Sequence, residues 1–560
     1  MKEKNQKAKK TATLFASGVL LLTISNLLVK VIGMMLKVPL TAIIGSDGMG
    51  YYTSAYDVYV WLYMISTAGI PVAISLMVSE ARSKGNFKET KKIFKVSLIT
   101  FAIVGIVGMC VLIFGSHMFS SLYNLEYLYL SLIAISPTLL FVCINAVLRG
   151  YFQGYQYMNP TAYSELIESL GKLGFGIFFA LWAMNIYANS TKDELAANSS
   201  AMTILGLTIG VFLGMIFLIV RKITFKEALY NEEFIKEGSQ EQTVRSTGKL
   251  LTALLLIAIP ITLSASMMSF SNMLDGMIIS DRLKSLGLDE NTRSTIIGAF
   301  KTQVTTLFNL PPALIYPISA SLVPYISTLR NTGTKEEINN LMNSSIKVAC
   351  MLSMPCAFGM SVLSKPIIQL LFSMSGNPVS DMAYDTDVLL SVQAFAVIFL
   401  ALYSITTSFM QAYKIQWFQI ISILCGCAVK IGSSFILIGN PSIRILGAPI
   451  GTVLEYVTIA LVNFIFIAVK IKFVPKILND MVRPLISSAI CAAAAWGTYK
   501  LLDGVIGIHS RITVIVAIGV AVIVYVAALL LTRSIDENDM KIIPKGDKIY
   551  SKLKGLNLVK

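Results

Sequence analysis

Residues 96–115, VSLITFAIVGIVGMCVLIFG, run for twenty positions without a charged side chain. A helix rises about 1.5 Å per residue, so this run measures about 30 Å, the thickness of a bilayer's hydrocarbon core. Residues 512–531, ITVIVAIGVAVIVYVAALLL, repeat the pattern near the far end of the 560-residue chain. Comparable apolar runs recur between the two. Strands of a membrane barrel would be about ten residues long with two-residue alternation, and no such pattern occurs. The sequence therefore reads as an all-α polytopic membrane protein.

Composition agrees. Hydrophobic residues make up 55% of the chain and charged residues 14%, with a mean hydropathy of +0.71. A soluble protein carries roughly a quarter charged residues. A soluble enzyme, a disordered chain and a nucleic-acid-binding module are excluded, the net charge of +15 notwithstanding. The seven cysteines (Cys110, Cys143, Cys350, Cys356, Cys425, Cys427, Cys491) all fall in apolar segments and read as small buried side chains. Cys425 and Cys427 are spaced like a metal pair, but only His117 and His509 could add imidazole and neither is near in sequence. No metal or other cofactor is expected.

Hydropathy places fourteen spans near 13–44, 50–80, 93–115, 126–149, 161–183, 200–220, 250–281, 297–328, 344–364, 385–412, 415–438, 447–469, 482–502 and 511–532. Several contain breakers, at Gly33, Pro71, Pro137, Pro260, Pro311-Pro312 and Pro355, which membranes tolerate where neighbours satisfy the freed backbone groups. The first span is too long for a cleaved signal peptide, and Lys30 and Lys37 interrupt it. With the amino terminus inside, 33 of the 46 Lys and Arg lie on the cytoplasmic side, eight outside and five within spans. The positive-inside rule then puts both termini in the cytoplasm. Basic runs such as residues 82–95 and the carboxyl tail read as topology signals beside anionic lipid. The expected organisation is a cytoplasmic tail (1–12), a six-helix bundle (13–221), a cytoplasmic linker (222–249), a second six-helix bundle (250–470), helices thirteen and fourteen (471–532), and a basic cytoplasmic tail (533–560).

An internal repeat supports the two bundles. Pro71-x-x-x-Ser75-Leu76 recurs as Pro317-x-x-x-Ser321-Leu322, and Arg82-x-x-Gly85 as Arg330-x-x-Gly333. Phe152-Gln153-Gly154-Tyr155 has a partner in Met410-Gln411-Ala412-Tyr413. These correspondences are shifted by six spans, an even number, which predicts parallel halves with the substrate site between them.

Charges inside a bilayer are costly and face a cavity or a partner. Asn26, Lys30, Gly33 and Lys37 fall at i, i+4, i+7 and i+11, one face of the first span. Lys30 and Lys37 stack about 10 Å apart, an arrangement suited to an anion such as a phosphate or pyrophosphate. The alternatives are that Lys37 snorkels outward and Lys30 pairs with a carboxylate. Glu165, Glu168 and Lys172 share a stripe on the fifth span, and the i,i+4 order of Glu168 and Lys172 favours mutual neutralisation. Asp57, Asp275, Lys301, Lys430 and Glu455 are single charges in later spans. Lys301 lies near an outer end and is free to snorkel. Asp275 and Glu455 either hold a monovalent cation or proton, or pair with Lys430.

The segment Leu148-Arg149-Gly150-Tyr151-Phe152-Gln153-Gly154, followed by Met158, Pro160-Thr161-Ala162 and Glu168, resembles a signature of bacterial polysaccharide-export and lipid II flippases. These belong to the multidrug/oligosaccharidyl-lipid/polysaccharide superfamily. Residues 31–33 through 44–45, Gly48-x-Gly50-Tyr51 and residues 69–75 (GIPVAIS) are similar to the stage V sporulation protein B branch, itself similar to MurJ-type flippases. The resemblance implies a V of two parallel bundles and export of undecaprenyl-pyrophosphate-linked sugars, lipid II or a polysaccharide repeat unit, by alternating access in the bacterial plasma membrane. It also implies coupling to Na+, H+ or membrane potential, with membrane lipids and cell-envelope synthesis proteins as neighbours. MurJ-type proteins use basic cavity residues on the first, second and eighth spans. Lys30 matches the first position and Lys37 is displaced by one; the second-span position has no counterpart. Lys301 lies about a turn from the eighth-span place, while Asn309-Leu310-Pro311 fits the motif that follows. Asp275 is the position carried over for a cation site.

Two other functions compete. A drug or cation antiporter of the same superfamily usually needs twelve spans and an acidic cavity. A glycan ligase or polymerase needs convergent acid and base groups, often on a large outer loop, and the outer loops here are short.

Overall fold

The computed structural model describes residues 2–225, 244–332, 334–372, 385–474, 477–505, 510–532, 534 and 536–540. The linker beyond residue 225, His509, Gly333 and the tail beyond residue 540 lie outside the described residues. Helices make up nearly all of what is described, and no strand occurs among the described residues. The first half contains α1 (Lys2–Thr67), α2 (Ile70–Ser83), α3 (Phe87–Tyr123), α4 (Leu128–Gly154), α5 (Asn159–Ile186) and α6 (Lys192–Thr224). After the linker come α7 (Thr247–Ser285) and α8 (Glu290–Ala299), then a π-helical turn (Phe300–Val304), α9 (Thr305–Phe308) and α10 (Pro312–Thr332). They are followed by α11 (Lys335–Val362), α12 (Ser364–Phe372), α13 (Thr386–Gln393), α14 (Ala396–Ala412), α15 (Gln416–Ile438), α16 (Gly447–Ile471), α17 (Ile477–Lys500), α18 (Ser510–Leu531) and α19 (Glu537–Met540).

Twelve stretches among the described residues are long and apolar enough to cross a membrane, thirteen when the bent pair Glu290–Phe308 and Pro312–Ser327 counts as one span. One of the twelve, Ile24–Ser83, has 60 residues. Its length of about 90 Å far exceeds one crossing. It breaks at Gly45, with φ 71° and ψ 174°, between the first two expected spans. That backbone region is essentially closed to residues with a Cβ. Dividing the stretch there is compatible with the expected fourteen.

The side chains are sorted inside out relative to a soluble protein. Phe114 and Leu531 are 84% exposed and Ile436 71%, while serines and threonines are buried. Ser131 and Ser200 hydroxyls meet at 2.9 Å and Thr138 and Thr208 at 2.8 Å, joining α4 to α6. In hydrocarbon, apolar burial brings helices together only weakly, so small residues and hydroxyl pairs supply the contact. The cysteines are free thiols, but Cys425 is exposed on α15, a correction to the expectation that all are buried.

Two compact units emerge. The first comprises residues 1–284 and 289–298, and the second 285–288 and 299–560. The compact division therefore does not fall at the linker: α7 and α8 pack with the first unit. In the second unit α17 and α18 lie against α11, where the Tyr525 hydroxyl donates to the Met351 carbonyl at 2.5 Å.

The sequence repeat has a physical counterpart inside each unit. The Arg82 guanidinium lies 4.4 Å from the Tyr155 ring centroid, and that of Arg330 lies 5.2 Å from Tyr413. Both tyrosines precede a residue with positive φ, Gln156 at 58° and Lys414 at 60°. The same turn hydrogen bonds follow, Tyr157 N–H to Phe152 at 3.0 Å and Ile415 N–H to Met410 at 2.9 Å.

Gly45→Ala should destabilise the protein by roughly 1–3 kcal/mol, because the new Cβ would demand a glycine-only backbone region and lie 2.3 Å from Asp47 Oδ1. Gly174→Ala, where a Cβ meets nothing within 4 Å, should leave thermal unfolding in detergent unchanged. Equal unfolding temperatures for the two variants would refute a break that depends on Gly45.

Candidate functional site

α1 packs one edge into the first unit and leaves the other open. Ser25 is buried and its hydroxyl donates to the Ala162 carbonyl of α5 at 2.9 Å, while Leu36 and Leu40 join the core. Asn26, Lys30 and Gly33 are exposed on the remaining face and Lys37 is half-buried. The stripe read from the sequence therefore exists, with Lys30 turned away from the packed interior.

The charges of α5 belong to a larger cluster. Glu168 accepts from Lys172 Nζ at 2.7 Å and from Arg149 Nη2 at 2.9 Å; Arg149 also lies 3.8 Å from Glu165 and donates to Ser164 Oγ at 3.1 Å. Glu168 and Lys172 pair as the i,i+4 order predicts. Arg149, the last residue of the fourth expected span, reaches into the α4–α5 contact. Two carboxylates and two cations balance formally. Along α1 a ladder of tyrosines, Tyr52, Tyr56, Tyr59 and Tyr63, stacks ring on ring at centroid separations of 6.2, 5.8 and 5.9 Å. Tyr63 lies within electrostatic reach of Arg149, Glu168 and Lys172.

The single charges separate. Asp57 of α1 and Asp275 of α7 both lie within electrostatic reach of Tyr123, whose hydroxyl donates to the Met273 carbonyl at 3.1 Å. Asp275 is buried. Glu455, in the second unit, pairs with Lys430 at 3.0 Å, both deeply buried, and Cys427 Sγ lies 3.9 Å from its carboxylate. Glu455 thus has Lys430 as its ion-pair partner across α15 and α16, the nearby cation by which a buried carboxylate is most cheaply held. Lys301 does not snorkel, being buried within the π-helical turn. Asn309 is exposed, and its Nδ2 donates to the Thr305 carbonyl at 2.9 Å just before the Pro311-Pro312 break.

Another contact escaped the sequence reading. α8 lies across α1 just beyond the Gly45 break. A Cβ on Gly298 would fall 1.9 Å from the Ser46 carbonyl oxygen, and one on Gly50 2.0 Å from that of Ser294. Ser294 Oγ donates to the Asp47 carbonyl at 2.7 Å, and the Tyr51 hydroxyl to Glu290 at 2.6 Å. The Gly48-x-Gly50-Tyr51 motif was the available signal, but one sequence gives no hint of which helix the glycines meet.

The family described as polysaccharide biosynthesis protein matches residues 15–330. The chain belongs to that family. Lipid II flippase MurJ of Bacillus subtilis (strain 168) is 23% identical over 538 residues, covering 91% of this chain and 93% of its own length. Stage V sporulation protein B of the same organism is 24% identical, covering 95% and 98%. Among solved structures, a lipid II flippase MurJ in an inward closed conformation aligns with TM-score 0.64 at 17% identity, over 91% of this chain and 98% of that one. An inward-facing multidrug resistance MATE family transporter of the MOP superfamily aligns with TM-score 0.59 at 15% identity, over 80% and 94%. The fold is the one shared by these transporters.

The matched region holds Lys30, Lys37, Asp57, Arg149, Glu168, Lys172, Asp275, Lys301 and Asn309; Glu455 falls outside it. Removing one partner of the α4–α5 cluster should cost more than removing two. Arg149→Gln leaves Glu165 and Glu168 facing one cation and should lower stability by about 1–3 kcal/mol, and adding Glu165→Gln should restore part of it. Thermal unfolding of the four members of that cycle checks this; strict additivity would mean the 3.8 Å approach carries no coupling.

Proposed function

We propose that this chain is a flippase carrying an undecaprenyl-pyrophosphate-linked oligosaccharide from the inner to the outer leaflet by alternating access. The observation that carries the reading is the exposed stripe of Asn26, Lys30 and Lys37 on α1. Lys30 lies near the middle of the first span, and a pyrophosphate of charge about −2 crosses the bilayer only where water and compensating positive charge accompany it. The end-to-end similarity to proteins named lipid II flippase MurJ and stage V sporulation protein B supports the same reading. So does membership of the polysaccharide biosynthesis family.

In this mechanism Lys30 and Lys37 receive the pyrophosphate as point charges, and Asn26 donates to its oxygens. We assign Lys301 and Asn309 of the eighth span, the Glu168–Lys172 pair and Asp57 to the substrate route as well. Asp275 serves the coupling cation or proton; Glu455, tied to Lys430, is set aside from it. The chain resides in the bacterial plasma membrane with both termini cytoplasmic, and cell-envelope synthesis proteins supply its substrate. The two sequence halves, 13–221 and 250–470, act as the moving bundles, with 1–12, 222–249 and 533–560 in the cytoplasm and 471–532 as accessory helices.

A cationic-drug antiporter fits less well, because Glu165 and Glu168 already have Arg149 and Lys172 as partners. A stripe of lysines would also repel such a drug.

Lys30→Ala should reduce translocation roughly tenfold or more, the scale of losing a hydrogen bond to a charged group. Lys30→Arg should retain part of it, and Lys30→Glu should be worse than Ala because it adds repulsion. Lys37→Ala should be milder. The measurement is translocation of labelled lipid II by equally folded variants in proteoliposomes. Wild-type rates for both Lys30→Ala and Lys30→Glu would sink the proposal.

A further inference from the structure

The far end of α3 carries a polar cavity that the transport reading does not use. α3 has 37 residues, about 55 Å, so its last turns extend beyond the apolar stretch that crosses the membrane. His117 and Ser120 from those turns meet the Asn124 cap, Lys284 from the end of α7, and Glu290 and Arg293 from the start of α8. Together they line a cavity of about 480 Å³, all within the first unit.

Its polar groups are unequally satisfied. Glu290 Oε1 accepts from the Tyr51 hydroxyl at 2.6 Å and from the Glu126 N–H at 2.8 Å. Lys284 Nζ donates to Asn124 Oδ1 at 2.7 Å. Arg293 is only 5% exposed; its Nη2 donates to the Asn124 carbonyl at 2.8 Å, but its buried Nε–H reaches no acceptor in the protein. Ser120 is 4% exposed, and its hydroxyl too has no partner. A buried donor without an acceptor forfeits its desolvation cost, so a ligand that supplies oxygen atoms gains what the fold leaves unmade. Lys284 and Arg293 bring two positive charges to the lining, which also carries the carboxylates of Glu126 and Glu290. α8 also begins there with its free N–H groups, capped by Asp289, whose carboxyl accepts from Thr292 and is held below the usual range mainly by that bond.

We propose that this cavity is an accessory site for a compact oxyanion, a carboxylate or phosphate, with Arg293 Nε–H and the Ser120 hydroxyl as its principal donors and Lys284 as the supporting charge. Glu290, already accepting two hydrogen bonds, forms the boundary that limits the ligand to a small anionic group. The site is separate from the Lys30 stripe and does not depend on the flippase reading. The anion arrives either from solution or as a lipid headgroup.

The test uses the full-length protein in nanodiscs. In phosphatidylcholine discs, acetate and inorganic phosphate are titrated as free probes and followed by ligand-observed NMR or thermal stabilisation. In a second arm, phosphatidylglycerol replaces phosphatidylcholine without added probe. Saturable binding of a free anion by wild type is expected, weakened roughly tenfold by Ser120→Ala and by Arg293→Gln, the scale of a hydrogen bond to a charged group. If the lipid is the source, phosphatidylglycerol should stabilise wild type and not Ser120→Ala. Ser120→Ala removes one hydroxyl with no partner in the fold, so it keeps the test informative should Arg293→Gln misfold. The proposal is overturned if neither arm yields saturable binding or stabilisation, or if Ser120→Ala behaves as wild type in both.

Discussion

Hydrocarbon offers no hydrogen bonds, and that constraint organises every helix described above. Backbone groups are satisfied along their own helices, and many buried polar side chains find another one or a backbone carbonyl. The Ser131–Ser200 and Thr138–Thr208 pairs, the Arg149–Glu168–Lys172 cluster and the Lys430–Glu455 pair are four local solutions to one problem. Two interruptions of helix regularity fall at residues of the candidate route: the π-helical turn Phe300–Val304 contains Lys301, and the break before Pro312 follows Asn309. Interruptions of this kind survive in a membrane only where protein or water replaces the lost partners.

The spans were legible because twenty apolar residues have few other uses. The break between the first two was legible too, although α1 runs as one helix in its hydrogen bonding and only the backbone angles of Gly45 divide it. Glu168 and Lys172 could be paired from their spacing, because i,i+4 neighbours on a helix touch whatever surrounds them. Arg149 could not be added, since its contact crosses from α4 to α5 and depends on how the two helices are rotated. Glu455 and Lys430 posed the same difficulty, because their contact crosses from α15 to α16. The Gly50 and Gly298 approach was hidden for a similar reason: a glycine announces room for a neighbour without naming it.

The repeated arginine-over-tyrosine contact is the firmest link between sequence and packing. Three short matches would be weak evidence of duplication taken alone. In each unit, however, the matched arginine and the matched tyrosine touch, and the residue after the tyrosine turns through the left-handed region. Chance similarity has no reason to join the same two positions in space twice. The compact division at residues 298 and 299 is a separate matter, set by the close seating of α8 on α1 rather than by the repeat.

The length of α3 has a further consequence. At its start Glu89 accepts from Arg245 at 2.7 Å, and at its other end lie His117 and Ser120. A rod of about 55 Å cannot keep both ends in one aqueous phase when it crosses a hydrocarbon layer about 30 Å thick. The two ionic clusters therefore bathe in different solutions, each with its own proton activity and ionic strength. The membrane voltage falls across the segment that joins them. A change in salt on one side of the membrane reaches the Glu89–Arg245 pair and leaves the far cavity untouched, so one continuous helix is wired to two separate electrolytes.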